Sequence, residues 1–247
     1  MTDTEKLLLS DIKRNYEKKI LGKADKVKAE NSFELFAYDQ LNNFKDYEKK
    51  VYNEVNEIYE KLGWVKYGYF DTINSFWTIF KCAATRVMEY DSKDLEEQAF
   101  FQDYKDNKND ARILAQKVLW RFPQLDALAA LTHCAANFMP CMDSKFNSLK
   151  YSTSKDHLPV FADRINADEK YEQYKNWLKE NIDDLCLGDY YETDGESIKG
   201  KPLFKGQSVD RPLPENECEI KECLNEIIIR IIKRAGYMAE KIENRAG

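Results

Sequence analysis

The segment 214–242 carries the pattern that most restricts the fold of this chain. Its apolar residues recur every three or four positions without a break, at Ile220, Cys223, Leu224, Ile227, Ile228, Ile231, Ala235, Met238 and Ile242. This spacing follows the period of an α-helix, and Pro214 stands where such a helix would begin. Because the apolar stripe is wide, the pattern predicts a helix buried among other helices.

The composition favours further helices and little sheet. The 247 residues include only 9 Gly and 6 Pro, which is too few for the frequent turns of an all-β sandwich or barrel. Amphipathic helical patterns recur at 4–21, 33–62, 71–90, 110–122 and 168–187. We therefore predict a mainly α, bundle-like fold with a single compact domain over 1–247. At most a small β-hairpin is expected, near 198–204, within a mobile loop over 188–213.

The pattern at 33–62 allows two interpretations. Its apolar positions follow spacings of three and four over about thirty residues, and Gly63 stands where a left-handed C-terminal cap is expected. Such a stripe fits a coiled-coil seam between two copies of the chain, and it also fits a contact inside one bundle. In either case residues 1–62 would form an N-terminal helical arm.

Local signals predict where several helices begin and end. Asp71 is placed to cap the helix over 71–90, since its side-chain oxygen can accept from backbone N–H groups of the first turn. Pro123 removes a backbone donor and ends the preceding helix, so that another helix is expected over 124–136. Asp168 is placed to cap the helix that continues to Leu187.

Charge and cysteine content limit the class of protein. The net charge of −6 argues against a nucleic-acid binder with a broad basic face. No segment approaches the roughly 20 apolar residues that span a bilayer, and the first residues lack the apolar run of a signal peptide. The 6 cysteines have no paired short spacings and indicate reduced thiols of a cytoplasmic protein, with Cys218 and Cys223 as packing thiols.

Residues 125–164 contain the scarce chemistry of the chain. This stretch holds both histidines, His133 and His157, with Cys134 and Cys141, in what the sequence suggests is an irregular loop between helices. These side chains are of the types that bind zinc, but neither a C-x-x-C nor an H-x-x-x-H pair is present, so we predict no metal site. The P-loop, the dinucleotide glycine fingerprint, the kinase motifs and the nucleophile elbow are also absent from the sequence.

The run THCAANFMPCMDSKFNSLKYSTSKDH, residues 132–157, resembles the second half of the HNH-type nuclease motif in relatives of modification-dependent restriction enzymes. The resemblance is carried by His133, Asn137, the apolar segment 138–140, Asn147 and Lys150. In that family the histidine and asparagine help hold a divalent metal and orient the strand that carries the general base. The resemblance therefore implies a nuclease that uses Mg²⁺ or Mn²⁺.

The first half of that motif, an Asp-His pair followed by Pro, has no counterpart before His133. Asp156, His157 and Pro159 look like this element displaced to a position after the asparagine segment. The departure implies a degenerate, non-cutting relative. The same segment also resembles uncharacterised bacterial proteins of phage conflict.

These patterns give a set of candidate residues and two functional hypotheses. The candidate catalytic residues are His133, Asn137, Asn147 and His157, and the candidate binding residues are Lys150, Asp156 and Arg164. A structural role is the alternative for the two asparagines, whose amides can satisfy backbone groups in an irregular buried loop.

The missing enzyme motifs, the acidic charge and the long amphipathic helices favour a non-catalytic cytoplasmic protein without a cofactor. We expect it to be of bacterial or phage origin and to act by protein contact, through a helix face or the long loop, in phage defence or counter-defence. A divalent-metal-dependent, HNH-like nuclease is the competing hypothesis.

Overall fold

The computed structural model describes residues 55–67, 69–88, 95–154 and 158–246, together with residues 33, 36, 37 and 53. Within these ranges the side chains of 150–154, 158 and 246 are not described. The predicted helix over 4–21 lies outside the described residues, as do Asp156 and His157.

The fold is mainly α, as predicted. Residues 55–62 are helical. The α-helices that follow are α1 (Phe76–Met88), α2 (Glu97–Lys105), α3 (Asn109–Arg121), α4 (Gln124–Leu131), α5 (Ser144–Ser154), α6 (Leu158–Asn166), α7 (Glu172–Asn181) and α8 (Glu217–Ala246). Short 3-10 helices cover Val65–Tyr67, Ala135–Asn137 and Glu169–Tyr171.

Two small antiparallel sheets lie between these helices. In the first, β1 (Tyr69–Thr72) pairs with β2 (Phe138–Cys141), so that Tyr69 faces Cys141 and Thr72 faces Phe138. In the second, β3 (Tyr191–Thr193) and β4 (Ile198–Gly200) form a hairpin inside the loop where one is predicted, but it covers 191–200 instead of 198–204. The first sheet was not predicted, because its strands are distant in sequence and neither has a turn that leads directly to the other.

Helix α8 runs through the core, as its stripe predicts. Its residues Ile220, Leu224 and Ile227 are fully buried. It contacts α1, α4 and the 3-10 turn Ala135–Asn137, so two separate parts of the chain, 76–88 and 124–137, pack against one helix. This burial of apolar surface on several sides is what the width of the stripe indicates.

The described part of segment 33–62 packs inside this chain. Ala37, Val55 and Leu62 are buried against the core, as the intramolecular interpretation predicts. Gly63 has φ of 68°, and its backbone N–H donates to the carbonyl of Glu60, which confirms the left-handed cap. Residues 38–52, on which a seam between two copies also depends, lie outside the described residues.

Several predicted helix ends are wrong. Helix α1 begins at Phe76 and is capped by Ser75, whose Oγ accepts from the N–H of Thr78 at 3.3 Å, while Asp71 lies in β1. Helix α4 stops at Leu131 instead of reaching residue 136. Asp168 caps a short 3-10 helix instead of one continuous helix to Leu187.

The loop over 188–213 is fixed to the rest of the fold through its hairpin. The backbone N–H of Gly200 donates to Asp163 on α6, and Asn166 on the same helix bonds the backbone of Ile198. A Cβ at Gly200 would overlap the backbone of Pro159, so only glycine allows the strand and the helix to approach this closely.

Candidate functional site

His133 lies in the turn after α4 and is surrounded by aromatic rings. Its ring stacks on Phe36, with centroids 5.6 Å apart, and lies 6.4 Å from the ring of Phe138. Burial lowers the pKa of His133 to about 4, because desolvation penalises the charged imidazolium. The imidazole is therefore neutral at pH 7, and it is a weaker base than an ordinary histidine.

Asn137 is fully buried and its amide is used in full by the protein. Its Nδ2 donates to the carbonyls of Asn74, at 3.0 Å, and Thr132, at 2.8 Å. Its Oδ1 accepts from the backbone N–H and from Nδ2 of Asn74, both at 3.1 Å. These bonds are the ones that the structural alternative predicts for Asn137, since its amide ties the turn before β2 to the residues after β1.

Asn147 and Arg164 lie on helices beyond the first sheet. Asn147, on α5, accepts a weak hydrogen bond from the thiol of Cys141 at 3.9 Å. Arg164, on α6, is half-buried, and its Nε has no hydrogen-bond partner among the described residues. Lys150 is also on α5, but its side chain is not described. The expected irregular loop is thus largely regular, since β2, α5 and α6 occupy most of it.

The residues needed to complete a nuclease site are only partly described. Asn137 contacts the turn that carries His133, whereas Asn147 contacts the far end of β2. His157 and Asp156 lie outside the described residues, so the nuclease hypothesis stays a prediction. Among the described residues, no group of three or more His, Cys, Asp or Glu side chains is arranged to hold a metal ion.

The most buried charge in this region is not among the candidate residues predicted from the sequence. Arg234 on α8 has an exposed fraction of 0%. Its Nε donates to the carbonyl of Leu185 at 3.1 Å, and its Nη1 donates to the carbonyls of Ala136, at 2.7 Å, and Phe138, at 2.5 Å. One guanidinium therefore joins α8, the turn after α7 and both sides of Asn137.

Other buried polar groups surround this guanidinium. The Tyr59 and Trp64 rings meet edge to face at 5.1 Å, and the Arg234 guanidinium carbon lies 5.6 Å from the centre of the Trp64 ring. Burial raises the pKa of Tyr190 to about 12, although the positive charge of Arg234 opposes this rise. The sequence signal was present, because Arg234 stands between Ile231, Ala235 and Met238 on the apolar stripe.

An open cleft of about 600 Å³ lies at the surface near the end of α8. Its walls include Cys186, Asp189, Tyr237 and Lys241. The Lys241 ammonium bonds the Asp184 carboxylate at 2.8 Å and the Asp184 carbonyl at 2.7 Å.

All 6 cysteines are free. Cys223 is buried as predicted, whereas Cys218 is exposed because it lies on the outer side of α8.

Helix α3 exposes a large aromatic side chain. Trp120 has an exposed fraction of 86% and Ile113, two turns earlier on the same side, one of 42%. The opposite side of α3 is buried through Leu114 and Val118. The helical period thus separates a core side from an outer side that carries its own apolar groups. None of the helices in the described ranges has the length and apolar character needed to cross a bilayer.

Comparisons with known proteins identify no relative. No protein-family model, no curated protein and no solved structure matches this chain.

Proposed function

We propose that this chain is a non-catalytic cytoplasmic protein that acts by contact with another protein, through the exposed side of α3. The single observation that carries the proposal is the exposure of Trp120. Tryptophan is enriched among the residues that dominate binding energy at protein interfaces, and leaving so much of its surface in water is unfavourable in a free monomer. The bacterial, phage-conflict setting rests on the sequence resemblance alone.

The charges beside Trp120 indicate the chemistry of the partner. Arg121 donates from Nε and Nη2 to the Glu217 carboxylate, at 2.8 and 2.5 Å, and the Lys221 ammonium bonds the same carboxylate at 2.6 Å. Lys117 is exposed one turn before Arg121. Two cations thus share one carboxylate, which leaves this group with a positive charge, although the whole chain carries a net charge of −6. This favours an acidic partner surface with an apolar recess for Trp120.

The same charges disfavour self-association through this surface. A two-fold dimer would place identical patches against each other, so the positive group of one copy would face the positive group of the other. Repulsion between these like charges would weaken such a contact. The proposal therefore commits to a different, acidic protein.

The test uses a displayed library of random 12-residue peptides selected on the immobilised full chain. We expect enriched peptides to combine several carboxylates with an aromatic or aliphatic residue. Trp120→Ala should weaken their binding about 30-fold, as expected for a dominant interface residue. Lys117→Glu with Lys221→Glu should weaken it further at low salt. Tyr237→Ala, which truncates an aromatic residue exposed to 45% on another helix, is the matched control and should bind normally.

Three results would overturn this proposal. The first is the enrichment of peptides whose binding is not weakened by Trp120→Ala. The second is sedimentation of the free chain as a dimer that Trp120→Ala dissociates. The third is cleavage of DNA or RNA in Mg²⁺ or Mn²⁺ that is lost in His133→Ala, since this would establish the competing nuclease.

A further inference from the structure

The chain enters the described structure near the end of α3. Phe33, the first described residue, is fully buried, and its backbone N–H donates to the Asp126 carboxylate at 2.8 Å. Asp126 lies in the first turn of α4, six residues after Trp120 in the sequence. Since six residues span at most about 21 Å, the point at which residues 1–32 join the fold lies within about 30 Å of Trp120.

Residues 12–32 are long enough to bring residues 3–11 to Trp120 in the same molecule. The sequence predicts a helix that continues to residue 21, and residues 12–21 in a helix extend about 15 Å. Residues 22–32 add up to about 36 Å when they are extended. The total of about 50 Å exceeds the separation of about 30 Å, so length does not prevent the contact.

The exposed side of α3 and the charges beside it form one surface, which we call the Trp120 surface. Its apolar part is Trp120, with an exposed fraction of 86%, and Ile113, with one of 42%. Its charged part is positive, because Arg121 and Lys221 share the Glu217 carboxylate. A segment that fits this surface would place apolar side chains between carboxylates. The members of the surface are Ile113, Lys117, Trp120, Arg121, Glu217 and Lys221.

Residues 3–11, DTEKLLLSD, have this composition. They combine three carboxylates with three consecutive leucines, and they contain a single lysine. The leucines can cover the exposed indole, while the carboxylates can pair with the positive group beside it. The carboxylates are those of Asp3, Glu5 and Asp11, and the leucines are Leu7, Leu8 and Leu9.

The stretch that follows has the opposite charge. Residues 12–28 carry seven Lys and Arg side chains against two carboxylates. Like charges would repel this stretch from the positive group of Arg121 and Lys221. The change of sign after Asp11 therefore limits the complementary segment to residues 3–11.

We propose that residues 3–11 bind the Trp120 surface of their own chain and compete there with an external acidic partner. This contact deepens the proposed function and rests on it, because it uses the same surface. The structure, in which Trp120 is exposed, then represents the open form that an external partner binds. A tethered segment acts at an effective concentration of about 1 mM. If its intrinsic Kd were about 0.1 mM, it would weaken external binding about tenfold.

A photo-crosslink tests the contact directly. The full chain carrying Trp120→p-benzoylphenylalanine is irradiated at low protein concentration, and the crosslinked monomer is digested and analysed by mass spectrometry. We expect position 120 to be joined to residues 3–11. Tyr237→p-benzoylphenylalanine, at an aromatic position exposed to 45%, is the matched control and should give no such product. The proposal is overturned if position 120 does not crosslink to residues 3–11, or does so only between two chains.

Competition with a free peptide tests the charge complementarity. The probe is the synthetic peptide MTDTEKLLLSDI, residues 1–12, labelled with an uncharged fluorophore. One variant reverses the three carboxylates of the segment, and its control makes the same change in net charge outside the segment. The first should bind the probe about tenfold more tightly than the control, because its own segment no longer competes. Equal affinities would contradict the proposal. The first variant is Asp3→Lys, Glu5→Lys, Asp11→Lys, and the control is Glu17→Lys, Asp25→Lys, Glu30→Lys.

The failure of this proposal and the failure of the proposed function give different results. If the peptide library yields acidic peptides that depend on Trp120, but neither the crosslink nor the competition is observed, the surface binds an external protein and the internal contact is wrong. If the crosslink and the competition are observed, but the library yields no such peptides, the internal contact is correct. The surface would then serve the chain's own segment, and the proposed function would be wrong.

Discussion

Two buried arginines lie one turn apart on α8 and are satisfied in different ways. Arg230 pairs with Glu226 at 3.2 Å and donates to the carbonyls of Lys201, at 2.6 Å, and Pro202, at 2.7 Å. These partners lie near the surface, and the Glu226 side chain has an exposed fraction of 39%. Arg234 instead donates to three carbonyls inside the core.

The difference indicates what each arginine does for the fold. Arg230 fastens the loop after β4 to α8 at a place that water can reach. Arg234 fixes the turn before β2 and the turn after α7, where its carbonyl partners are buried in the core. The contribution of a buried hydrogen bond to the free energy of unfolding depends on whether water can replace the lost partner. Removal of Arg234 should therefore destabilise the fold more than removal of Arg230.

The largest expected effect comes from replacing each arginine by methionine. Arg234→Met leaves three buried carbonyls without donors and should lower the free energy of unfolding by about 3 to 4 kcal/mol. Arg230→Met leaves carbonyls that water can reach and should lower it by about 1 to 2 kcal/mol. Urea unfolding of both variants measures the difference.

If Arg234→Met and Arg230→Met lowered the free energy of unfolding equally, the expected difference between the two arginines would be wrong. A neutral or stabilising Arg234→Met would also contradict it, because the cost of burying the charge would then exceed the value of its three hydrogen bonds.

The two arginines also show how far the sequence predicts this fold. The stripe of α8, the cap at Gly63, the break at Pro123 and the hairpin in the loop 188–213 all follow from local patterns, and the structure confirms them. Arg230 and Arg234 lie beside the stripe four residues apart, a spacing that places both on the same side of a helix.

Other features depend on distant parts of the chain and could not be predicted locally. The pairing of β1 with β2 joins Tyr69 to Cys141, and no short-range pattern specifies such a partner. The carbonyls that Arg234 contacts come from two separate turns. The exposure of Trp120 could have been predicted from the sequence, because Trp120 lies on the side of α3 opposite the buried Leu114 and Val118.

The second prediction uses pH to separate the two regions. Burial lowers the pKa of His133 from 6.5 to about 4. As the pH falls below 6.5, the unfolded chain takes up a proton that the folded chain does not bind until about pH 4. The unfolded state therefore gains stability in this window, and the fold should lose on the order of 2 to 3 kcal/mol. His133→Gln should remove this loss.

Glu97 must be taken into account in that measurement. Burial raises its pKa to about 7, so the folded chain binds its proton first and Glu97 adds stability as the pH falls. Glu97 is present in both chains, so its contribution cancels when the unfolding free energy of His133→Gln is subtracted from that of the natural chain.

As the pH falls, hydrogen exchange should also show opening at the amide of Asn137, in the Arg234 region, before opening at the amide of Leu203, in the Arg230 region. The opposite order would contradict the assignment of the acid-sensitive group to His133.

The smallest expected effect lies in the ion pair of Arg230. Glu226→Gln keeps the shape of the side chain and removes its charge, while Arg230 keeps both carbonyl partners. Because the carboxylate is partly exposed, the loss should be about 0.5 kcal/mol or less, and it should vanish in high salt. Urea unfolding at two salt concentrations measures it. A larger loss that persists in high salt would mean that Arg230 and Glu226 behave as a buried ion pair. The two arginines would then differ because Arg230 has a charged partner, and not because water can reach its carbonyl partners.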